Sequence, residues 1–252
     1  MGALGGVANF TLLCATQKLK CSQLNEKFEK WNGVLAMILK WIGHSCFQLT
    51  SELGTRIVMD PFNSMIGKMP EVAADAVTAS HGHGDHNFFE GVSGNPIHLT
   101  EPGEHLIRDI SIKGIPTFHD DKLGEKRGKN IVFCFEADGT KICHCGDLGH
   151  VLTDDQLQAI GDVDVLLLPT GGTFTIDSKT AAVVANQVKP KVVVPMHYSR
   201  KKMSLTGLVL EGVDQFIKAY DMPHAEHEVL EIKNPGQLLE FSGVVVLKST
   251  LR

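Results

Sequence analysis

The segment from His81 to His86 concentrates side chains that can bind a metal ion. It reads His-Gly-His-Gly-Asp-His, so three imidazoles and one carboxylate fall within six residues. His81 and His83 are two residues apart and would point to the same side of an extended turn. Asp85 and His86 follow directly and can bind an ion at a second position. The two intervening glycines let the backbone bend sharply around a small centre. This spacing predicts a metal site.

Residues of the same types recur after later predicted strands. They are His119, Asp147 and His197, which follow strands predicted to end near residues 118, 145 and 195. Rigid scaffolds hold reactive groups in the loops that follow strands, and clustered His and Asp in such loops indicate a metal centre. This recurrence disfavours the alternative of a solvated, His-rich loop without metal. His144 and His150 remain open as competitors of His119.

The elements that would position these side chains can be predicted from hydrophobic patterning. Asp138-Gly139 is typical of a hairpin turn, and Thr153 with Gln156 is typical of the capping box that begins a helix. Strands are predicted at residues 37–42, 45–50, 56–59, 74–80, 97–100, 110–118, 131–136, 141–144, 163–168, 191–195, 229–232, 238–241 and 244–248, and helices after residue 153, at 178–188 and at 211–220. Strands with interspersed helices in both halves predict a layered sheet core with helices outside.

Length and composition narrow the classes of protein. The chain has 252 residues and a net charge of −5, which does not favour a broad nucleic-acid-binding surface. The sequence contains no run of about 18 apolar residues, so it predicts no membrane-spanning helix. The first residues also lack the positively charged start of a signal peptide, and we therefore expect a cytoplasmic protein. The six cysteines are too irregularly spaced for a disulfide framework. We expect one compact domain at residues 37–252 and an extension outside the core at residues 1–36.

These motifs together resemble the metallo-β-lactamase superfamily. Beside the segment at residues 81–86, the resemblance rests on Gly43-His44-Ser45, Asp60-Pro61, Gly146-Asp147, the stretch from Leu168 to Phe174, and Pro195-Met196-His197-Tyr198. In particular they resemble the branch of metal-dependent hydrolases related to L-ascorbate-6-phosphate lactonase. The resemblance covers the chain from residue 37 onward. It implies an α+β fold, a four-layer αββα sandwich with two metal ions at one edge of the paired sheets.

The resemblance also implies a ligand set and two divalent metal ions. The first ion would be held by His81, His83 and His119, the second by Asp85, His86 and His197, and Asp147 would bridge them. Zinc is the first expectation because the set is rich in histidine, with manganese and iron as alternatives. Asp60 is expected to support a ligand histidine from outside the ligand set.

The function implied is that of a dinuclear metal-dependent hydrolase, in which a metal-bound hydroxide attacks a small-molecule lactone, ester or phosphoester. Asp85 would orient the nucleophile, His44 would bind substrate or protonate the leaving group, and His150 would lie beside the site. Arg200, Lys201 and Lys202 could hold an anionic substrate group, although a solvated basic loop is the commoner interpretation. The alternatives are a nuclease or phosphodiesterase of the same superfamily, for which the acidic charge is unfavourable, and a non-catalytic metal-binding regulatory protein. We expect no membrane partner and leave a homo-oligomer open.

Overall fold

The structure is a computed structural model, and it describes residues 36–199 and 210–251. The extension predicted at residues 1–36, apart from Ala36, lies outside the described residues, and so does the basic stretch at residues 200–202. The predicted boundary between extension and domain therefore stays a prediction.

Sixteen strands and three α-helices are found in the described part of the chain. The strands are β1 (Met37–Gly43), β2 (Cys46–Thr50), β3 (Arg56–Met59), β4 (Val72–Ala73), β5 (Ala76–Thr78), β6 (Val92–Ser93), β7 (Ile97–Leu99), β8 (Gly103–Ile107), β9 (Ile110–Phe118), β10 (Lys129–Ala137), β11 (Thr140–His144), β12 (Val165–Pro169), β13 (Val192–Met196), β14 (His224–His227), β15 (Leu230–Ile232) and β16 (Gly243–Leu247). The helices are α1 (Asp154–Ile160), α2 (Ser178–Val188) and α3 (Val213–Tyr220), with 3-10 helices at Phe89–Gly91 and Pro235–Phe241. None of these helices is long and apolar enough to span a membrane.

Two large sheets pack against each other. One has six strands in the order β15-β1-β2-β3-β5-β7, the other has eight in the order β14-β16-β13-β12-β11-β10-β9-β8, and β4 pairs with β6 in a small third sheet. Side chains from both large sheets, among them Trp41, Phe47, Phe133 and Leu167, form one buried cluster between them. The predicted layered sandwich is confirmed.

The outer faces of the two sheets are covered differently. On the eight-stranded sheet, a second buried cluster joins strand residues such as Val132 to Ala181 of α2 and Phe216 of α3. On the six-stranded sheet, Val58 and Phe62 belong to a third cluster, which in the described residues is completed by loop segments and the 3-10 helix at Phe89–Gly91 rather than by an α-helix.

Several local predictions can be compared with the structure. The hairpin is confirmed: Ala137 pairs with Thr140 across Asp138-Gly139, both with positive φ. The capping box of α1 is confirmed as well. The strand predicted at residues 238–241 is wrong, because a proline at the first turn and the Asn234 side chain, which accepts from the Gln237 N–H, begin a 3-10 helix there instead. Strands β4, β6, β8 and β14 were not predicted from the sequence.

Parallel pairing determines which residues meet. Strands β3, β5 and β7 run parallel in the first sheet, and β11, β12, β13 and β16 run parallel in the second. Strand β9 is antiparallel to β10, which is antiparallel to β11, so β9 has the same direction as β11. The residues that follow β3, β5, β9, β11 and β13 therefore gather at the edges where these strands end.

Candidate metal centre

The side chains predicted from the sequence as metal ligands come together at these strand ends. Their ligand atoms form three overlapping groups, and within each group the atoms lie within 4.8 Å of one another. The groups are His81, His83 and His119; His81, His86 and Asp147; and His44, Asp85, His86 and His197. The first group and the last thus bring together the two ligand sets that the resemblance implied, and His44 joins the second.

Asp147 lies between the two sets. Its Oδ2 is 3.3 Å from the Nε2 atoms of His86, His119 and His197. The carboxylate is buried, and burial by itself would raise its pKa, but His197 and His86 hold the pKa well below its ordinary value. Asp147 is therefore an ionised acceptor that faces histidines of both sets.

The ligand nitrogens are oriented as metal binding requires. The Nε2 atoms of His81 and His86 are buried and have no hydrogen-bond partner among the described residues, and the same is true of Asp147 Oδ1. The Nδ1 atoms of the same two rings are fixed, that of His86 by Asp60 Oδ2 at 2.8 Å and that of His81 by Ser80 Oγ at 3.0 Å. Metal-binding histidines characteristically hold one nitrogen in such a bond and present the other. The residues therefore fit a divalent metal ion.

Asp60 organises this arrangement from outside the ligand set. Its Oδ1 accepts the Ser80 N–H at 2.8 Å, and its Oδ2 accepts both the Ser80 hydroxyl at 2.5 Å and the His86 Nδ1–H at 2.8 Å. Burial alone would raise the pKa of this carboxyl, yet His144 and His86 lower it. The expected supporting role of Asp60 agrees with these contacts, which connect the end of β3 with the loop after β5.

Asn130 is a supporting residue that the sequence did not reveal. Its Oδ1 accepts the Asp147 N–H at 2.9 Å, while its Nδ2 donates to Thr117 Oγ1 and to the Cys145 carbonyl. A polar residue at the start of an apolar strand carries no signal of this role. The neighbouring Gly146 is required by the same packing, because its φ is 55° and a Cβ there would lie 2.4 Å from that of Ser80.

His44 is buried beside the second set. Its Nε2 is 3.3 Å from Asp85 Oδ2, and its ring centroid is 4.1 Å from that of His197. The Trp41 indole N–H and the His197 backbone N–H both donate to the His44 carbonyl, which fixes a backbone with φ 55°. Burial, followed by the neighbouring His197, lowers the pKa of His44 to about 4, so its ring is neutral at pH 7. Burial opposes ionisation of Asp85, but the hydrogen bond from His44 lowers its pKa.

His150 and His144 have other contacts. His150 Nε2 accepts the Phe118 N–H at 3.2 Å and Nδ1 donates to the Val151 carbonyl, so both ring nitrogens are engaged with backbone, and the residue belongs to none of the three groups. These contacts place His150 at the end of β9, next to His119, and its predicted role beside the site stays a prediction. His144 is buried in β11, bonded to the Ser45 carbonyl and to the Gly146 N–H. Of the three competitors, His119 is the one that the structure places with His81 and His83.

Comparison with known proteins shows similarity to metal-dependent hydrolases at the level of both sequence and structure. Residues 38–197 match the model of the beta-lactamase superfamily domain. A UPF0173 metal-dependent hydrolase from Pelotomaculum thermopropionicum is 30% identical over 238 residues, covering 81% of this chain and all of its own, and one from Carboxydothermus hydrogenoformans is 29% identical over 235 residues, covering 81% and 99%. A solved structure from Thermotoga maritima, named as a zinc-dependent hydrolase of the metallo-beta-lactamase superfamily, is 42% identical with a TM-score of 0.70 and covers 85% of this chain and 100% of its own.

Proposed function

We propose that this chain, a metal-dependent hydrolase that belongs to the metallo-β-lactamase superfamily, acts through two divalent metal ions on a small-molecule lactone, ester or phosphoester. Zinc is the proposed metal, because five of the seven side chains proposed as ligands are histidines; manganese and iron are the alternatives.

One observation carries the proposal of two ions. Asp147 Oδ2 is equally distant, at 3.3 Å, from His119 of the first set and from His86 and His197 of the second. A single ion would need only one of these sets. A carboxylate that faces both is what a shared ligand of two ions requires.

The chemistry divides between the metal and the chain. Divalent ions held here would polarise the substrate and lower the pKa of a water molecule towards neutrality. Asp85, ionised and bonded to His44 at 3.3 Å, can accept a hydrogen bond from that water and so orient it for attack. Neutral His44 donates its Nε2–H to Asp85 and so holds the carboxylate in place. Because its pKa is about 4, His44 serves in orientation and substrate binding more readily than as an acid at pH 7.

The substrate class rests on weaker support. The net charge of −5 is unfavourable for a polyanionic nucleic acid, which supports a small molecule over a nuclease substrate. The lactonase-related branch, suggested by the motifs around His44 and His197, remains part of the proposal, as does activity in the cytoplasm.

The test combines metal analysis with hydrolysis assays on the purified full chain. After zinc reconstitution and gel filtration, we expect about two zinc ions per chain in the wild type. Asp147→Ala and His83→Ala should lose bound zinc and hydrolytic activity together. His224→Ala, which changes an exposed histidine of β14, is the matched control and should retain both.

Three results would contradict the proposal. Fewer than one tightly bound ion per wild-type chain would exclude the dinuclear centre. Activity that survives both Asp147→Ala and His83→Ala would exclude the mechanism. Cleavage of single-stranded RNA, with no turnover of lactones, esters or small phosphoesters, would replace the small-molecule hydrolase by a nuclease.

A further inference from the structure

Arg127 is a fixed cation in the loop that follows the proposed ligand His119. Its Nη2 donates to the Thr173 carbonyl at 2.9 Å, and its guanidinium carbon lies 5.6 Å from the centroid of the Phe174 ring. In the described chain no carboxylate forms an ion pair with it, although other cations do have such partners, as Lys126 has with Asp121 at 3.5 Å. Arg127 is half-buried, and Phe174 is 36% exposed, so the pair faces solvent.

The loop that carries Arg127 is tied to a proposed metal ligand. His119 donates its backbone N–H to the Gly128 carbonyl at 3.0 Å, which places Arg127 one residue from a direct partner of His119. The next residue, Asp120, accepts the N–H groups of Lys122, Gly124, Lys126 and Arg127 at 2.7–2.9 Å. These bonds hold the backbone of Arg127 in a defined position relative to the first ligand set.

The other side of the contact is tied to the second ligand set. Thr173 and Phe174 belong to the segment after β12, in which Gly171 packs directly on His197: a Cβ at Gly171 would lie 2.0 Å from the His197 carbonyl oxygen. Arg127 therefore joins the segment that follows His119 to the segment that packs on His197. Both histidines contact Asp147 Oδ2 at 3.3 Å, so the bond from Arg127 to Thr173 connects two loops that adjoin the two ligand sets.

We propose that Arg127 binds an oxyanion of the substrate, a carboxylate or a phosphate that is not itself hydrolysed, and so selects anionic substrates. This inference rests on the proposed function. A guanidinium has five N–H donors in a planar fork, and one bond to Thr173 leaves an edge suited to a bidentate oxyanion. The bond to the carbonyl and the aromatic ring orient the fork before the substrate arrives, which reduces the entropy lost on binding.

Paired esters test the inference. 4-Nitrophenyl acetate and mono-4-nitrophenyl succinate share one leaving group, and the succinate carries an additional carboxymethyl group on its acyl part. Arg127→Gln keeps an N–H that can donate to Thr173 but removes the charge, and we expect it to lower the ratio of kcat/KM for succinate over acetate by about 10- to 100-fold, the range of a charge-assisted bidentate bond. Lys126→Gln removes the same charge from the neighbouring residue and should change the ratio by less than about threefold, as expected of an exposed pair.

A binding measurement separates this inference from the proposed function. Titration of the full chain with phenylphosphonate, whose P–C bond is not hydrolysed, followed by ³¹P NMR, should give a Kd at least about tenfold weaker for Arg127→Gln than for the wild type and for Lys126→Gln. If neither ester is hydrolysed, the ester proposal fails and the titration still decides the role of Arg127. An unchanged Kd would overturn the inference. So would an equal loss on both esters, because that pattern would mean that Arg127 only holds two loops together.

Discussion

Replacing Asp60 by asparagine tests how the second ligand set is oriented. The substitution keeps the shape of the side chain and exchanges one acceptor oxygen for an NH2 donor. In the wild type, Asp60 Oδ2 accepts from His86 Nδ1 at 2.8 Å, which makes Nε2, the nitrogen that faces Asp147, the one available to a metal ion. If the new oxygen takes over the bond from the Ser80 N–H, the NH2 group faces His86 Nδ1 and favours the tautomer with the proton on Nε2. That tautomer cannot bind a metal through Nε2.

The expected loss follows from this tautomer change. Removing the partner of a ligand histidine typically weakens metal binding by about 10- to 100-fold. This corresponds to about 1.4–2.8 kcal/mol at 1.4 kcal/mol per factor of ten. The Ser80 N–H keeps an acceptor in the variant, so the protein should remain folded, and the loss should be confined to the second ion.

Competition with a chromophoric chelator measures this loss. Zinc affinity is determined for the wild type, for Asp60→Asn and for Asp164→Asn. Asp164 is a suitable control because it too bonds a backbone N–H, that of Lys141 at 2.8 Å, but precedes β12 at the far end of the strand. We expect one of two zinc affinities to fall in Asp60→Asn and both to be kept in Asp164→Asn. Affinities within twofold of the wild type in both variants would refute the reasoning.

Two further predictions concern stability. Gly146→Ala should lower the free energy of unfolding in urea by roughly 2–4 kcal/mol, because the new Cβ would lie 2.4 Å from that of Ser80. Gly54 also has a positive φ, 84°, but no atom lies within 4 Å of a Cβ placed there. Gly54→Ala therefore isolates the cost of positive φ and should lower the free energy of unfolding by only about 1 kcal/mol. The Asp120 side chain is shielded from solvent, which opposes ionisation, but four backbone N–H groups lower its pKa from 3.8 to about 2. A carboxyl with a lowered folded pKa stabilises the fold above about pH 4 and loses that contribution as the pH falls towards 2. The difference in unfolding free energy between the wild type and Asp120→Asn should therefore shrink between pH 5 and pH 2, and a difference independent of pH would contradict this.

The cluster of His and Asp side chains could be predicted from the sequence because its signals are local. His81, His83, Asp85 and His86 lie within six residues, and His119 follows the end of a recognisable strand. His and Asp residues in such positions can be recognised from residue type and spacing alone. The strand directions then bring them to one edge, as parallel pairing requires.

The contacts of the supporting residues depend on strand pairing that no local pattern encodes: Asp60 was expected in this role through the family resemblance, and Asn130 was not predicted. Asp60 meets His86 across 26 positions of sequence, and Asn130 meets Asp147 across 17. The register that joins β3 to β5 sets the first contact, and a single residue cannot reveal it. His150 illustrates the reverse case: its spacing from Asp147 suggested the site, but the backbone of Phe118 and Val151 occupies both nitrogens.

Residues of ordinary appearance were also misjudged for physical reasons. The run at residues 238–241 has the apolar content of a strand, but Asn234 and Pro235 begin a 3-10 helix before it. No sequence pattern indicated the role proposed for Arg127, since that role depends on the loop that Asp120 organises and on a hydrogen bond to a segment 46 residues away.

The most direct test of the central claim is anomalous diffraction at the zinc edge from crystals of the zinc-reconstituted chain. The account predicts two peaks per chain: one contacted by His81, His83 and His119, the other by Asp85, His86 and His197, with Asp147 in contact with both. A single peak, or two peaks of which only one contacts Asp147, would contradict the claim that this carboxylate is shared by two ions.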